Sequence, residues 1–368
     1  MKRAVVYPVS KNDIALIRYF ERSNLNARIK GCVAPYGSGI VGNDLSYVDN
    51  RENMGIMIKD DVVDLFDEFD LLIVTEGNEN EPKHKLTYLT MLEAIKQHKD
   101  IYCFMGMEEK LVKKLEDIAD LNDVEFVYKY KQNKYDTFEY EENFRMEIFE
   151  ADVPIVLIGG ITGTENEFEV LLGLTLALRS KGIKVSAISD NIYASLYNIV
   201  ELPSSIYKAP VEPKYIINYL NKKLKETYLK EQPEIILIQA PDAILRYSKY
   251  VPNGYGIETY MMVQGIYPDY SIIGLQAQSD IEEFPKYIAE DLQVRFGCEV
   301  IGAYLNNNII DYMEMGINNT IEVSYVEKEK IDEKISKMKC ETKIPIYNLM
   351  NEKGMNELEE YIYERILK

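Results

Sequence analysis

The residues best suited to bind a ligand or take part in a reaction form one glycine-rich stretch, residues 153–165, with the sequence VPIVLIGGITGTE. An apolar, strand-like segment runs into closely spaced glycines, and a helix pattern follows. Such a strand–turn–helix surrounds a concavity with backbone N–H groups at a helix N-terminus, which is how many proteins bind phosphate. The predicted phosphate-binding or ligand-binding residues are Gly159, Gly160, Thr162, Gly163 and Thr164. A tight turn that needs only small residues explains the stretch equally well, and both interpretations stay open.

Residues 154–308 resemble the P-loop NTPase class that contains dethiobiotin synthetase and the nitrogenase iron protein. The class motif is G-x-x-x-x-G-K-S/T, and this chain has Ile158 for the first Gly, Thr164 for the Lys and Glu165 for the Ser/Thr. In the class, the Lys holds the outer phosphates and the hydroxyl is a Mg²⁺ ligand. A carboxylate in the place of that hydroxyl repels a triphosphate. The resemblance therefore implies a degenerate P-loop that does not carry out ordinary ATP hydrolysis.

Polar residues at the ends of other predicted strands are candidate accessory ligands. Asp190 follows one strand, where relatives in the resembled class carry a metal-linked acid, although an Asp there can equally cap the next helix. Gln239 ends another strand, where that class has a carboxylate, and Asp242 lies in the loop that follows. Asn306 closes a later strand, where such folds often use Asn to bind a purine edge, but Asn is also a common turn residue. Catalytic residues are not assigned, and no metal ligands are predicted.

A second glycine motif, residues 37–42 (GSGIVG), matches the dinucleotide fingerprint G-x-G-x-x-G letter for letter. That fingerprint must follow the first strand of its unit and open a helix. Here it follows the second predicted strand, and residues 43–50 (NDLSYVDN) lack a helical pattern. We therefore expect a flexible glycine loop rather than a nicotinamide or flavin site.

These residues must be positioned by two segments of the chain in which predicted strands alternate with predicted helices. Strands that alternate with helices indicate a parallel sheet covered on both faces. The predicted strands are residues 3–9, 27–34, 71–74, 101–104, 155–158, 184–189, 234–239, 271–275, 299–305, 321–325 and 344–347. The predicted helices are residues 13–23, 85–98, 108–120, 167–180, 215–230, 281–296 and 355–367. The helix at 167–180 is apolar nearly all round, so we expect it to be buried between the sheet and another element.

The predicted fold class is α/β, with two Rossmann-like three-layer domains whose sheets are mostly parallel. The length of 368 residues suits two domains, because domains usually span ~100–200 residues. The predicted boundaries are 1–120 for the N-terminal Rossmann-like domain, 121–152 for a linker and 153–368 for the degenerate P-loop NTPase-like domain.

The composition excludes several functional classes. The 42 Lys plus Arg against 61 Asp plus Glu give a formal net charge of −19, which repels nucleic-acid backbones and anionic lipid headgroups. The hydrophobic content of 46% excludes global disorder. Four Cys without a C-x-x-C pair fit a reducing compartment, so we expect a cytoplasmic protein that binds neither nucleic acid nor membranes. With only two His, a His-based metal site or a Ser-His-Asp triad is difficult to build.

Over its whole length the chain resembles a family of peptide-maturation-system proteins, which are encoded beside natural-product precursor peptides and radical-SAM enzymes in anaerobic bacteria. The residues that carry this resemblance are 3–8 (RAVVYP), the glycine loop with its flanks at 154–169, and 239–242 (QAPD). The resemblance implies an accessory protein in the maturation of a ribosomally made peptide. Its implied partners are the precursor peptide or a maturation enzyme such as the radical-SAM enzyme, with a homodimer left open.

Three functional hypotheses follow from these observations. The first is an accessory protein that binds a partner peptide, an enzyme or a nucleotide without hydrolysing it and has no assigned cofactor. The second is an ATP-dependent enzyme of the dethiobiotin-synthetase kind with a rearranged phosphate site, for which ATP or GTP with Mg²⁺ is the candidate cofactor. The third is a small-molecule sensor with its ligand between the two domains.

Overall fold

The chain forms two compact units. The computed structural model describes residues 1–35, 37–76, 83–130, 148–246, 249, 255–277, 284–311, 313, 316–317, 323–338 and 344–368. The first unit comprises residues 1–134 together with 195–198, and the second comprises residues 135–194 and 199–368. The predicted domain boundaries stay a prediction, and residues 131–147 of the predicted linker lie outside the described residues.

The first unit is built on a six-stranded sheet whose strands are all parallel. The strands are β1 (Lys2–Tyr7), β2 (Ala27–Val33), β3 (Ile58–Lys59), β4 (Leu71–Val74), β5 (Asp100–Cys103) and β6 (Phe126–Tyr128). The helices are α1 (Ile14–Arg18), α2 (Lys83–Lys96) and α3 (Glu109–Leu121). The strand order is β3-β2-β1-β4-β5-β6, with the reversal between β1 and β4 that is typical of doubly wound sheets.

The glycine motif at 37–42 lies between β2 and a short 3₁₀ helix, Leu45–Val48. Gly37, Gly39 and Gly42 all have positive φ angles, and a Cβ at any of them would meet open space. The segment therefore does not have the strand–turn–α-helix context of a dinucleotide site, as predicted.

The second unit is built on a seven-stranded parallel sheet. Its strands are β7 (Ile155–Gly160), β8 (Val185–Ser189), β9 (Val200–Glu201), β10 (Ile235–Gln239), β11 (Tyr270–Leu275), β12 (Glu299–Leu305) and β15 (Ile346–Tyr347), in the order β15-β12-β11-β7-β10-β8-β9. A separate antiparallel pair consists of β13 (Asn308–Ile310) and β14 (Val323–Tyr325). Since β7 lies between β10 and β11, the glycine loop leaves the sheet near its centre.

Helices cover both faces of this sheet. They are α4 (Glu167–Ser180), α5 (Pro213–Glu231), α6 (Ile257–Ile266), α7 (Phe284–Phe296), α8 (Lys328–Met338) and α9 (Glu352–Ile362), which a π-helical turn, Tyr363–Leu367, extends. Alternate strand residues pack against α5 to α8 in one apolar core. On the opposite face α4 contacts β7, β8 and β10 and is covered by α9, so the predicted burial of this apolar helix is confirmed.

The predicted α/β class with two mostly parallel sheets is confirmed, and most predicted strands and helices lie within a few residues of the observed ones. The exceptions are β3, β6, β9 and β13, each of two or three residues, together with the helices α6 and α8, none of which has a predicted range. Of these, β6 lies within the segment predicted as a linker. None of the helices in the described part of the chain combines the length and the apolar character that a bilayer crossing requires.

Candidate functional site

The glycine loop makes a sharp connection between the end of β7 and the start of α4. Gly163 has φ +71° and Asn166 has φ +59°, so both lie in the left-handed region that Gly and Asn tolerate best. No side chain caps the N-terminus of α4. The turn therefore keeps the strand–turn–helix form of an anion cradle.

The carboxyl group of Glu165 lies inside this cradle. Its two oxygens accept the backbone N–H of Thr162 at 3.2 Å each, and Oε2 accepts the N–H of Thr164 at 2.9 Å. The hydroxyl of Thr162 donates a further short hydrogen bond to Oε1. Donors that would serve a bound phosphate are thus used by a carboxyl group of the loop itself.

A second buried carboxyl group, that of Glu167, lies beside the first. Its Oε1 accepts the backbone N–H of Glu165 at 3.3 Å. Burial, and then the neighbouring charge of Glu167, raises the pKa of Glu165 well above its usual range. Burial also raises the pKa of Glu167. The pair therefore favours a protonated state, because two adjacent buried carboxylates cannot both ionise cheaply.

Two glycines on neighbouring strands make room for these carboxyl groups. A Cβ at Gly160 would lie 2.0 Å from Oε1 of Glu167 and 2.1 Å from Oε2 of Glu165. A Cβ at Gly274 would lie 2.6 Å from both the Cβ of Glu165 and the hydroxyl oxygen of Tyr304. No other side chain fits at either position without displacing the acidic pair, so the loop and the sheet are shaped around it.

Amide side chains from later strands hold the two threonines of the loop. Nε2 of Gln276 donates to the Thr162 hydroxyl at 2.7 Å, and Nδ2 of Asn308 donates to the carbonyl oxygen and the hydroxyl of Thr164 at 2.9 and 3.0 Å. The hydroxyl of Tyr304 is buried close by and has no hydrogen-bond partner within the described ranges. Gln276, Asn308 and Glu167 are not among the predicted site residues. The available signal was that Gln276 directly follows β11 and that Asn308 ends the run of three asparagines after β12.

A second group of acidic residues lies at the carboxyl ends of two adjacent strands. Asp190 follows β8 and Asp242 follows β10, and a hydrogen bond of 2.6 Å from the Ser189 hydroxyl to Oε1 of Gln239 joins the two strand ends. Burial, followed by the charges of Glu258 and Glu167, raises the pKa of Asp190 to about 7. The same causes raise the pKa of Asp242 to about 7.

The loop that carries Asp242 packs between the glycine loop and the start of α6. A Cβ at Gly163 would lie 3.0 Å from the backbone nitrogen of Ala243, and the Thr259 hydroxyl in the first turn of α6 donates to the carbonyl oxygen of Asp242 at 2.9 Å. Glu258 also belongs to this first turn, and burial raises its pKa. The acidic residues thus surround the same end of the sheet as the glycine loop.

The remaining predicted residues have packing or turn contacts. A Cβ at Gly159 would lie 2.5 Å from Cγ2 of Ile244, so this glycine allows a close approach within the core. Oδ1 of Asn306 accepts the backbone N–H of Asn307 at 2.7 Å, which is a turn contact. The prediction that these residues bind a ligand stays a prediction. Within the described ranges, no group of three or more His, Cys, Asp or Glu side chains is placed to hold a metal ion.

Comparison with known proteins shows similarity at the level of structure. No protein-family model and no curated protein sequence matches the chain. A DUF1611 family protein from Anabaena variabilis matches with a TM-score of 0.63 and 12% identity, over 99% of this chain and 100% of its own. A nucleotide-binding protein from Archaeoglobus fulgidus, in complex with ADP, matches with a TM-score of 0.32 and 13% identity, over 56% of this chain and 85% of its own.

A cobyrinic acid a,c-diamide synthase from Mycobacterium smegmatis, with bound ADP and magnesium, matches with a TM-score of 0.27 and 10% identity, over 42% of this chain and 74% of its own. The similarity to the cyanobacterial protein extends over the whole chain and shows the fold. The two partial similarities are too distant to carry an argument about function.

Proposed function

We propose that this chain is a non-hydrolysing accessory protein with a P-loop-derived second unit, which acts in the maturation of a ribosomally made peptide by binding a partner. The observation that carries the proposal is the position of the Glu165 carboxyl group, which accepts the N–H groups of Thr162 and Thr164. Because the Glu165 carboxyl group already accepts these N–H groups, the loop needs no nucleotide to satisfy its hydrogen-bond donors.

Electrostatics around the loop oppose a triphosphate even if Glu165 moves away. Two like charges about 4 Å apart repel by about 4 kcal/mol at an effective dielectric constant of about 20. A phosphate at this end of the sheet would either meet a like charge on Glu167, Asp190 or Asp242 or raise the pKa of these groups further, and both cost free energy near pH 7. The class Lys that would offset these charges is replaced by Thr164. The charges around this loop therefore disfavour the binding and turnover of ATP or GTP.

The partner is the precursor peptide or a maturation enzyme of its pathway. This part of the proposal rests on the family resemblance of residues 3–8, 154–169 and 239–242. The formal net charge of −19 favours association with partners that carry basic segments, because it attracts them over several ångströms before contact.

The experiment is isothermal titration of the full chain with Mg-ATP and with Mg-GTP at millimolar concentration, together with a phosphate-release assay. We expect neither turnover nor saturable heat. Phosphate release that a bulky substitution such as Gly163→Leu abolishes would contradict the proposal and support the ATP-dependent enzyme instead. Saturable binding of the nucleotide without release would contradict the occupied cradle, because Glu165 could not then hold these donors, and would leave only the non-hydrolysing part of the proposal.

A further inference from the structure

Four carboxyl groups surround the end of the sheet beside the glycine loop: those of Glu167, Asp190, Asp242 and Glu258. They come from four separate elements, namely the first turn of α4, the ends of β8 and β10, and the first turn of α6. Asp190 and Asp242 each lie within the field of both Glu258 and Glu167. Asp190, Asp242 and Glu258 are all partly accessible to solvent, so a ligand can reach them.

An independent feature of this region is the hydroxyl group of Tyr207. Tyr207 is 8% exposed, and its hydroxyl has no hydrogen-bond partner in the part of the chain that the structure describes. It lies in the field of Asp190 and Glu258, whose charges add to burial in raising the pKa of Tyr207 well above its usual range. Its 3₁₀ turn, Ser204–Lys208, follows β9, which pairs with the end of β8 next to Asp190. A buried hydroxyl normally has a partner, so an unmatched one at this edge is a candidate group for hydrogen bonding to a ligand.

The distribution of the carboxyl groups over four elements favours an organic cation over a metal ion. No three acidic, His or Cys side chains among the described residues converge on one point, as a bound divalent ion would require. A guanidinium group, in contrast, spreads five N–H donors over a plane and can bond separated carboxylates and a hydroxyl together. Burial raises the pKa of Glu258, and the exposed side chain of Lys208 opposes that rise in part.

We propose that Asp190, Asp242, Glu258 and the Tyr207 hydroxyl form a binding site for the guanidinium group of an arginine side chain in a partner peptide. This site rests on the proposed function and deepens it, because it names the chemical feature that the partner must present. The two aspartates supply charge-assisted hydrogen bonds, and the tyrosine supplies an acceptor for a remaining N–H group.

The test is isothermal titration of the full chain, in about 150 mM salt to screen long-range attraction, with blocked Gly-Arg-Gly and with blocked Gly-citrulline-Gly. Citrulline has nearly the same shape as arginine but lacks its charge. We expect the arginine peptide to bind about tenfold more tightly, a free-energy difference of about 1.4 kcal/mol. The double variant Asp190→Asn/Asp242→Asn should remove this preference, and Tyr207→Phe should weaken arginine binding about threefold while the chain stays folded.

The matched control is Glu226→Gln, which removes an exposed carboxylate on α5 that pairs with Lys223. This variant should keep arginine binding within about twofold of the original, because exposed pairs contribute little. Equal affinity for the two peptides, no binding of either, or an arginine preference that survives the double Asn variant would each overturn the proposed site. Saturable binding of Mg²⁺ that the double variant abolishes would overturn it in favour of a metal. None of these results bears on nucleotide turnover, so failure here is distinguishable from failure of the proposed function.

Discussion

At the residue scale, the carboxyl group of Glu165 is subject to two opposing influences on its ionisation. Its carboxyl group is fully buried, which favours the neutral form, and it accepts two backbone N–H groups and a hydroxyl, which favours the charged form. Burial and Glu167 dominate and raise its pKa, so the loop holds a largely neutral carboxyl group in a cradle that normally binds an anion. Such a group satisfies the loop donors without the full cost of burying a charge.

The substitution Gly274→Ala tests how tightly the sheet is built around this group. The new Cβ would lie 2.6 Å from both the Cβ of Glu165 and the hydroxyl oxygen of Tyr304, so one of them must move. We expect a loss of about 1–3 kcal/mol in the free energy of unfolding, measured by urea denaturation. The matched control is Gly302→Ala on the adjacent strand, where the nearest contact is 3.3 Å from a Tyr347 ring carbon. Equal stability of the two variants would contradict the close packing described here.

The candidate site was only partly predictable from the sequence. The glycine loop, and the presence of Glu165 where the class that it resembles has a hydroxyl, could be identified from the residue order alone. The sequence predicted that Glu165 repels phosphate, but not that its side chain turns back into the loop. The space for that side chain comes from Gly274, and the amide of Asn308 holds the neighbouring Thr164. Both residues lie far from Glu165 along the chain, and residue order carries no information on such long-range contacts.

At the element scale, prediction succeeded where the apolar pattern was strong. Helix α4 was predicted with its observed ends, and the buried strands β4, β10 and β12 were predicted within one residue. Helix α6 was missed because its sequence, IETYMMVQGI, contains several β-branched residues and Gly265. Its stability comes from packing against α5, where Nδ2 of Asn221 donates to the carbonyl oxygen of Gly265 at 2.7 Å.

The substitution Gly265→Ala should therefore destabilise the chain, although alanine usually stabilises a helix relative to glycine. Alanine is normally more stable than glycine inside a helix by about 1 kcal/mol. Here the added Cβ would lie 2.5 Å from the carbonyl oxygen of Ile217 on α5, so the two helices must separate. We expect a net loss of about 1–3 kcal/mol in chemical denaturation, while Lys222→Ala on the exposed face of α5 should change stability by less than about 0.5 kcal/mol. A gain in stability from Gly265→Ala would show that the helices are not in close contact.

At the scale of the whole molecule, the negative charge is not spread only over the surface. The formal net charge is −19, and several of the acidic residues lie together at the carboxyl edge of the second sheet. Burial, and after it the charges of Glu258 and Glu167, raises the pKa of Asp190 and of Asp242 to about 7. Ionisation of these groups must therefore work against folding.

The stability of the chain should fall as the pH rises from about 4 to about 7. Over this range Asp190 and Asp242 release their protons in the unfolded state but retain them in the folded state. Stability is therefore greatest below the pKa of these groups in the unfolded state. It is lost as the pH rises through their pKa of about 7 in the folded state. The double variant Asp190→Asn/Asp242→Asn lacks this loss. Its melting temperature relative to the original should rise between pH 4.5 and pH 8 by at least about 2–4 °C, which corresponds to about 1 kcal/mol for a unit of this size.

Thermal unfolding at several pH values gives this comparison, with Glu226→Gln as the control. The difference between the control and the original chain should stay nearly constant with pH, because this exposed glutamate lies near the C-terminal end of α5 and belongs to a surface ion pair. A constant difference for the double Asn variant as well would mean that these aspartates ionise normally in the folded chain.

The most direct test of the central claim is the binding of ADP to chains in which the cradle has been opened. Calorimetric titration would compare the original chain with Glu165→Ser and with Thr164→Lys/Glu165→Ser, which restores the cation and the hydroxyl of the class motif. We expect no saturable binding to the original chain, weak binding to the single variant and binding at least about tenfold tighter to the double variant. Binding of ADP to the original chain with the affinity of the double variant would contradict the account, because a cradle occupied by Glu165 could not accept the phosphate.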